Sequence, residues 1–128
     1  MADASYPDDL LYHPEHDWAR VDDGTATFGI TWYAQDALGE VVFFEVPEVG
    51  KTVAKDESYT EIESVKAVSD VIAPLSGEIV EVNQAISEKP ETLNEDPYGE
   101  GWLVKVRLSD PSETQSLMDA GAYEATLQ

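Results

Sequence analysis

A chain of 128 residues, 42% of them apolar, can bury a core of its own and is expected to form one domain over residues 1–128. Twenty-seven carboxylates against seven basic side chains leave a formal charge of −20. That field repels phosphate backbones and anionic lipid, so neither nucleic acid nor a membrane is an expected partner. The absence of cysteine removes disulfides, thiol nucleophiles and thiolate metal sites, and no apolar run approaches the roughly 20 residues of a bilayer span.

Residues 1–9 are polar and acidic, with an early Pro7, and read as a loose arm. They offer neither the apolar stretch of a signal peptide nor an arginine-rich amphipathic helix, so the expected compartment is the cytoplasm, or an organelle if the chain is already processed. Acidity of this degree favours solubility, and a salt-rich cytoplasm would screen its self-repulsion. Residues 16–21 read as a strand and Asp22-Asp23-Gly24 as a turn. Thr25–Ile30 alternates and is β-branched or aromatic at several positions, which predicts a second strand. Thr31 stands as the N-cap of a short helix over Trp32–Leu38, and Gly39 closes it. Residues 40–46, with Val41, Val42, Phe43 and Phe44 in succession, read as a buried strand.

Residues 47–53 and 74–80 both spell Pro-x-x-Gly-x-x-Val, which predicts two similar β units packed face to face. Residues 84–100 read as a polar loop holding the turn formers Pro90, Asn94, Pro97 and Gly99. Residues 101–108 return as a strand. The tail over 111–127 reads as helical, with Leu117, Met118, Tyr123 and Leu127 available to dock on a sheet. This order predicts a mainly β fold, a flattened barrel or sandwich with a short helix after the second strand and helices at the C-terminal end.

Between the two heptads lies Glu61-Ile62-Glu63-Ser64-Val65-Lys66-Ala67-Val68-Ser69-Asp70. Alternating residues approach and leave Lys66, and Pro74-Leu75-Ser76-Gly77 follows as a turn, so the segment reads as a hairpin with Lys66 at its tip. A lysine there stands in water at the end of a stiff support. It is either an ordinary surface cation or an attachment point.

The rest of the chain carries little independent chemistry. Gly24 and Gly29 lack the spacing of a phosphate-binding loop, and no serine sits in a Gly-x-Ser-x-Gly elbow. His13, Glu15, His16 and Asp17 contain metal-ligand types, but Pro14 breaks the helix that would align the two imidazoles and no third imidazole or thiol exists, so no metal site is expected. The acidic run at 88–100 lacks the order of a calcium loop. With so many carboxylates no catalytic pair stands out, and an enzyme acting alone is not expected.

Glu63-Ser64-Val65-Lys66-Ala67-Val68-Ser69-Asp70, followed by residues 73–83, resembles the lipoyl-attachment segment of glycine cleavage system H proteins. Biotin carrier segments share the fold but have methionines where Val65 and Ala67 stand. The likeness extends over about residues 10–125, through His16-Asp17-Trp18, residues 29–43, Pro47-Glu48-Val49-Gly50 and residues 94–103. It implies a lipoyl-type barrel-sandwich hybrid and a carrier subunit instead of an enzyme. Lipoate would be amide-linked to Lys66 as a long arm with a dithiolane at its end. That arm would take the aminomethyl group of glycine from a pyridoxal-phosphate glycine decarboxylase (P protein) to a tetrahydrofolate-dependent aminomethyltransferase (T protein), and a flavin dihydrolipoamide dehydrogenase (L protein) would reoxidise it. The resemblance further implies that lipoylating enzymes read Glu63 and Gly77, and that the loaded arm parks in a cleft holding Asp17 and Asp70, with Glu15 where the family often has Ser. A lipoate relay without glycine turnover and a biotinyl carrier domain are the alternatives.

Overall fold

The computed structural model describes residues 6–127, and among them nine strands form two antiparallel sheets. The larger sheet runs in the order β1 (Leu11–His13), β2 (Asp17–Asp22), β3 (Thr25–Ile30), β9 (Val104–Leu108), β8 (Gly77–Val82) and β5 (Thr52–Val53). The smaller one places β6 (Ser58–Ser64) between β4 (Val41–Phe44) and β7 (Val68–Ile72). Ala26, Phe28, Ile79 and Val104 of the first sheet meet Phe44, Ile62 and Val71 of the second in one core. The two sheets therefore face each other as a sandwich and do not close into a barrel. No helix among the described residues is long and apolar enough to cross a membrane.

Local chemistry explains several elements. Asp23 and Gly24 both take positive φ, 49° and 87°, as a two-residue hairpin turn demands, and they set the β2–β3 register with Asp22 opposite Thr25. Helix α1 (Trp32–Leu38) begins where the Thr31 hydroxyl accepts from the Ala34 N–H. It ends at Gly39, whose N–H donates to the Gln35 carbonyl at a φ of 81°.

Other expectations are corrected. His16 adopts a φ of 74°, which breaks the expected strand over 16–21 at its start; the ladder begins at Asp17, and the additional short strand β1 precedes it. Helix α1 thus follows the third strand, not the second. Residues 1–5 of the expected loose arm lie outside the described residues. From Tyr6 onward the chain is tied down: the Tyr6 ring meets those of Tyr12 and Tyr123 edge-on, and the Tyr12 hydroxyl donates to the Pro7 carbonyl. The strand expected over 40–46 is shorter and only half buried, with Val42 and Phe43 facing solvent after a register irregularity.

The polar stretch 84–100 holds two short helices, α2 (Gln84–Glu88) and α3 (Thr92–Glu95). Each drives one apolar side chain, Ile86 or Leu93, fully into the core. The strand expected over 101–108 starts only at Val104. The helical tail divides into a 3-10 turn (Pro111–Ser116) and α4 (Ala120–Thr126), because Met118 between them pairs with Tyr12 across two backbone hydrogen bonds. The two Pro-x-x-Gly-x-x-Val heptads meet edge to edge within one sheet, β5 against β8, and not face to face.

Candidate functional site

The β6–β7 hairpin ends in Val65-Lys66-Ala67, and Ser64 builds the turn. The Ser64 N–H donates to the Ala67 carbonyl at 2.8 Å, while its hydroxyl oxygen accepts from the N–H groups of Lys66 and Ala67 at 3.3 and 3.2 Å. The Val65 N–H donates to the Glu40 carbonyl, which anchors the tip to the chain entering β4. Four hydrogen bonds thus hold the backbone that carries Lys66. Its aliphatic stem passes Gly39, where an added Cβ would lie 3.4 Å from Lys66 Cε.

The other basic side chains are engaged. Lys51 and Arg20 donate to backbone carbonyls. Lys55, Lys89, Lys105 and Arg107 pair with Asp56, Glu95, Glu81 and Glu78. Among the described residues the Lys66 side chain alone of the lysines and arginines makes no hydrogen bond or ion pair.

A cleft of about 350 Å³ opens beside the tip, between the chain entering β2, helix α1 and the free edge of β7. It brings together Glu15, Asp17 and Asp70, the three carboxylates expected there, with Ile30, Ala34, Leu38, Ile62 and Val71 as apolar wall. Asp17 is 2% exposed, and its Oδ2 has no hydrogen-bond partner. Burial pushes its carboxyl well above the usual range, and the neighbouring Glu15 charge adds to the effect. The Tyr59 hydroxyl, buried in the core and within the field of Asp17, is likewise unpartnered and held well above its ordinary pKa by burial.

Glu63 and Gly77 do not join this cleft. Glu63 stands exposed on β6, between Phe43 and Val68 on the neighbouring strands. Gly77 is buried at the start of β8, where an added Cβ would lie 2.1 Å from the Arg107 carbonyl oxygen and 2.5 Å from Val106 Cγ1. Its place in the fold rests on the close approach of β8 and β9.

The two histidines serve different partners. His13 Nδ1 accepts from the Glu15 N–H, so Nε2 carries the proton that it donates to Asp56 Oδ1 at 2.6 Å. That bond, with help from Lys55, holds the Asp56 carboxyl below its usual range. His16 lines the cleft, lies 4.4 Å from the Tyr33 ring, and bonds through Nδ1 to the Tyr123 hydroxyl at 2.7 Å. Tyr123 continues to Thr31 Oγ1 at 2.8 Å, linking the C-terminal helix to the cap of α1. Burial pushes the His16 imidazole below its ordinary value, so it is neutral at neutral pH.

Sequence reasoning missed Ser64, Tyr123 and Asn94. Asn94 accepts from the Val41 N–H and donates to Gln35 Oε1 and the Gly39 carbonyl, clamping α1 to the start of β4. Only Ser64 left a local trace, as a small hydroxyl residue two positions before the tip lysine.

Comparison with known proteins places this geometry. The glycine cleavage H-protein family matches residues 10–128. Glycine cleavage system H proteins of Symbiobacterium thermophilum and Escherichia coli O7:K1 are each 52% identical, covering 95% and 98% of both chains respectively. The crystal structure of a glycine cleavage system H protein from Mycobacterium marinum superposes with a TM-score of 0.87 at 44% identity, covering 94% of this chain and 98% of that one. The chain therefore belongs to the glycine cleavage H-protein family, whose members serve that system as lipoyl carriers and not as enzymes.

Proposed function

We propose that Lys66 carries lipoate in amide linkage and that the whole chain acts as one carrier domain in the cytoplasm. In that role it takes the aminomethyl group of glycine from the pyridoxal-phosphate decarboxylase to the tetrahydrofolate-dependent aminomethyltransferase, with dihydrolipoamide dehydrogenase completing the cycle. The observation that carries this reading is the one unengaged lysine side chain among the described residues, on a braced hairpin tip. Lipoate supplies a redox-active dithiolane on a flexible tether, chemistry that the side chains lack.

The residues present fit that group. Ser64 and the Glu40 carbonyl fix the attachment point, and tethering raises the effective concentration that a partner meets. The apolar wall of the cleft excludes water from whatever it covers. Asp17, with Glu15 and Asp70, supplies carboxyl groups for a cationic group, and the unpartnered Asp17 Oδ2 is a buried oxygen still without a hydrogen-bond partner. Glu63, exposed near the tip, is open to direct contact by the lipoylating enzyme. Gly77 acts by keeping β8 seated on β9.

Intact-mass measurement and peptide mapping after co-expression with lipoate and biotin ligases test this. One lipoyl group on Lys66, absent from a folded Lys66→Ala variant, is the expected result; biotin at Lys66, or loss of the fold in the variant, would refute it. Glycine decarboxylation reconstituted with the three partner enzymes separates the carrier from a lipoate relay, which would be modified and yet inactive.

A further inference from the structure

Most of the molecule's exposed large apolar side chains gather in one place. Of the seven among the described residues, Val42, Phe43, Val65 and Val68 lie on β4, at the hairpin tip or at the start of β7. Phe43 is 52% exposed, Val65 65% and Val68 61%. In the small sheet Phe43 stands opposite Glu63, and Glu63 opposite Val68, so one row crosses all three strands with a carboxylate between two apolar side chains. Glu61 and Asp70 face each other two residues along the same ladder. Side chains directly opposite on neighbouring strands lie about 5 Å apart, so this is one contiguous patch beside Lys66. Apolar area of this kind on a heavily charged surface marks a contact site.

The patch and the lysine make different demands on different visitors. An enzyme that works at the far end of a long arm need not touch the tip. An enzyme that acylates Lys66 must bring its reacting carbon within bonding distance of Nζ and must therefore cover the side chains around it. In that step an N–C bond forms between Nζ and the acyl carbon of an activated acyl donor held by the enzyme. The activating group leaves with the electron pair of its bond to that carbon, and Nζ gives up a proton.

We propose that Phe43, Val65 and Val68 form the seat of the enzyme that acylates Lys66. That partner presents an apolar depression framed by basic side chains, which complement Glu61, Glu63 and Asp70 and the net charge of −20. The inference rests on Lys66 being the acylated residue.

The test measures acylation of the unmodified protein by a purified lipoate–protein ligase supplied with lipoate and ATP, for wild type, Phe43→Ser, Val65→Ser, the double variant and Phe43→Leu; Val68 is left in place because it also lines the cleft beside the tip. Val49→Ser, at a 60% exposed apolar residue in the turn after β4, is the control. Circular dichroism confirms that each variant is folded. The double variant should lose about tenfold in kcat/KM, Phe43→Leu should recover most of the loss seen in Phe43→Ser, and Val49→Ser should match wild type. Once driven to full lipoylation with excess ligase, the double variant should support glycine decarboxylation as wild type does.

Wild-type acylation rates in the double variant would overturn the proposal, as would an equal loss in Val49→Ser or an equal loss in decarboxylation by the fully lipoylated double variant. Sedimentation showing a wild-type dimer that the double variant dissociates would assign the patch to a second copy. A wild-type protein that takes no lipoyl group would instead sink the assignment of Lys66, a separate and distinguishable failure.

Discussion

Asp17 is buried in the wall of the cleft beside the hairpin tip. With its folded pKa raised by burial, the folded chain keeps a proton that the unfolded chain has already released. Stability from this group is full below the unfolded pKa of about 4 and falls as pH rises through the folded value. Asp17→Asn removes that slope. The variant's melting temperature minus that of unmodified wild type should climb as pH rises above the unfolded carboxyl value of about 4; a flat difference would show that Asp17 ionises normally. His16 works in the opposite sense. Its imidazole is held below the ordinary value, so its contribution is complete above the unfolded pKa and is lost as pH falls through the folded one. The chain order conceals both effects, since Tyr123 lies 107 residues from His16 and the buried oxygen without a partner appears only once three elements meet.

What the chain declares about its elements is what local physics decides. The Asp23-Gly24 turn, the Thr31 cap and the Gly39 stop involve residues a few positions apart, and all three stand as read. The helices in 84–100 were not legible, because each has one buried apolar residue and neither shows a periodic face. Strand β1 is three residues long and owes its place to Met118 on one side and β2 on the other. The Lys66 tip was legible as a hairpin, while its bracing by Glu40 and the engagement of every other lysine and arginine required coordinates. Gly77 offers a test at this scale. Gly77→Ala forces β8 off the Arg107 carbonyl and should cost about 1–3 kcal/mol. Lipoylation and melting temperature should fall together; reduced lipoylation at an unchanged melting temperature would show that the ligase reads this glycine directly.

Across the whole molecule, 27 carboxylates face seven basic side chains, and among the described residues those basic side chains form four ion pairs, so most of the negative charge is uncompensated. Raising potassium chloride from about 0.1 M to about 1 M shortens the screening length from about 10 Å to about 3 Å. The melting temperature should rise over that range, and one that stays constant would remove self-repulsion as a determinant of stability. The pairing of the two heptads has a mechanical meaning. Thr52 and Val53 are laddered to Glu78 and Gly77, the Gly50 N–H donates to the Ile79 carbonyl and the Ile79 N–H to the Lys51 carbonyl, so both feet of the Lys66 hairpin are stapled together. The bracing at the Lys66 tip and this clasp thus close the hairpin at its two ends. Native-state hydrogen exchange should find the Lys66 and Ala67 amides opening locally and the Gly50 and Ile79 amides opening only with global unfolding.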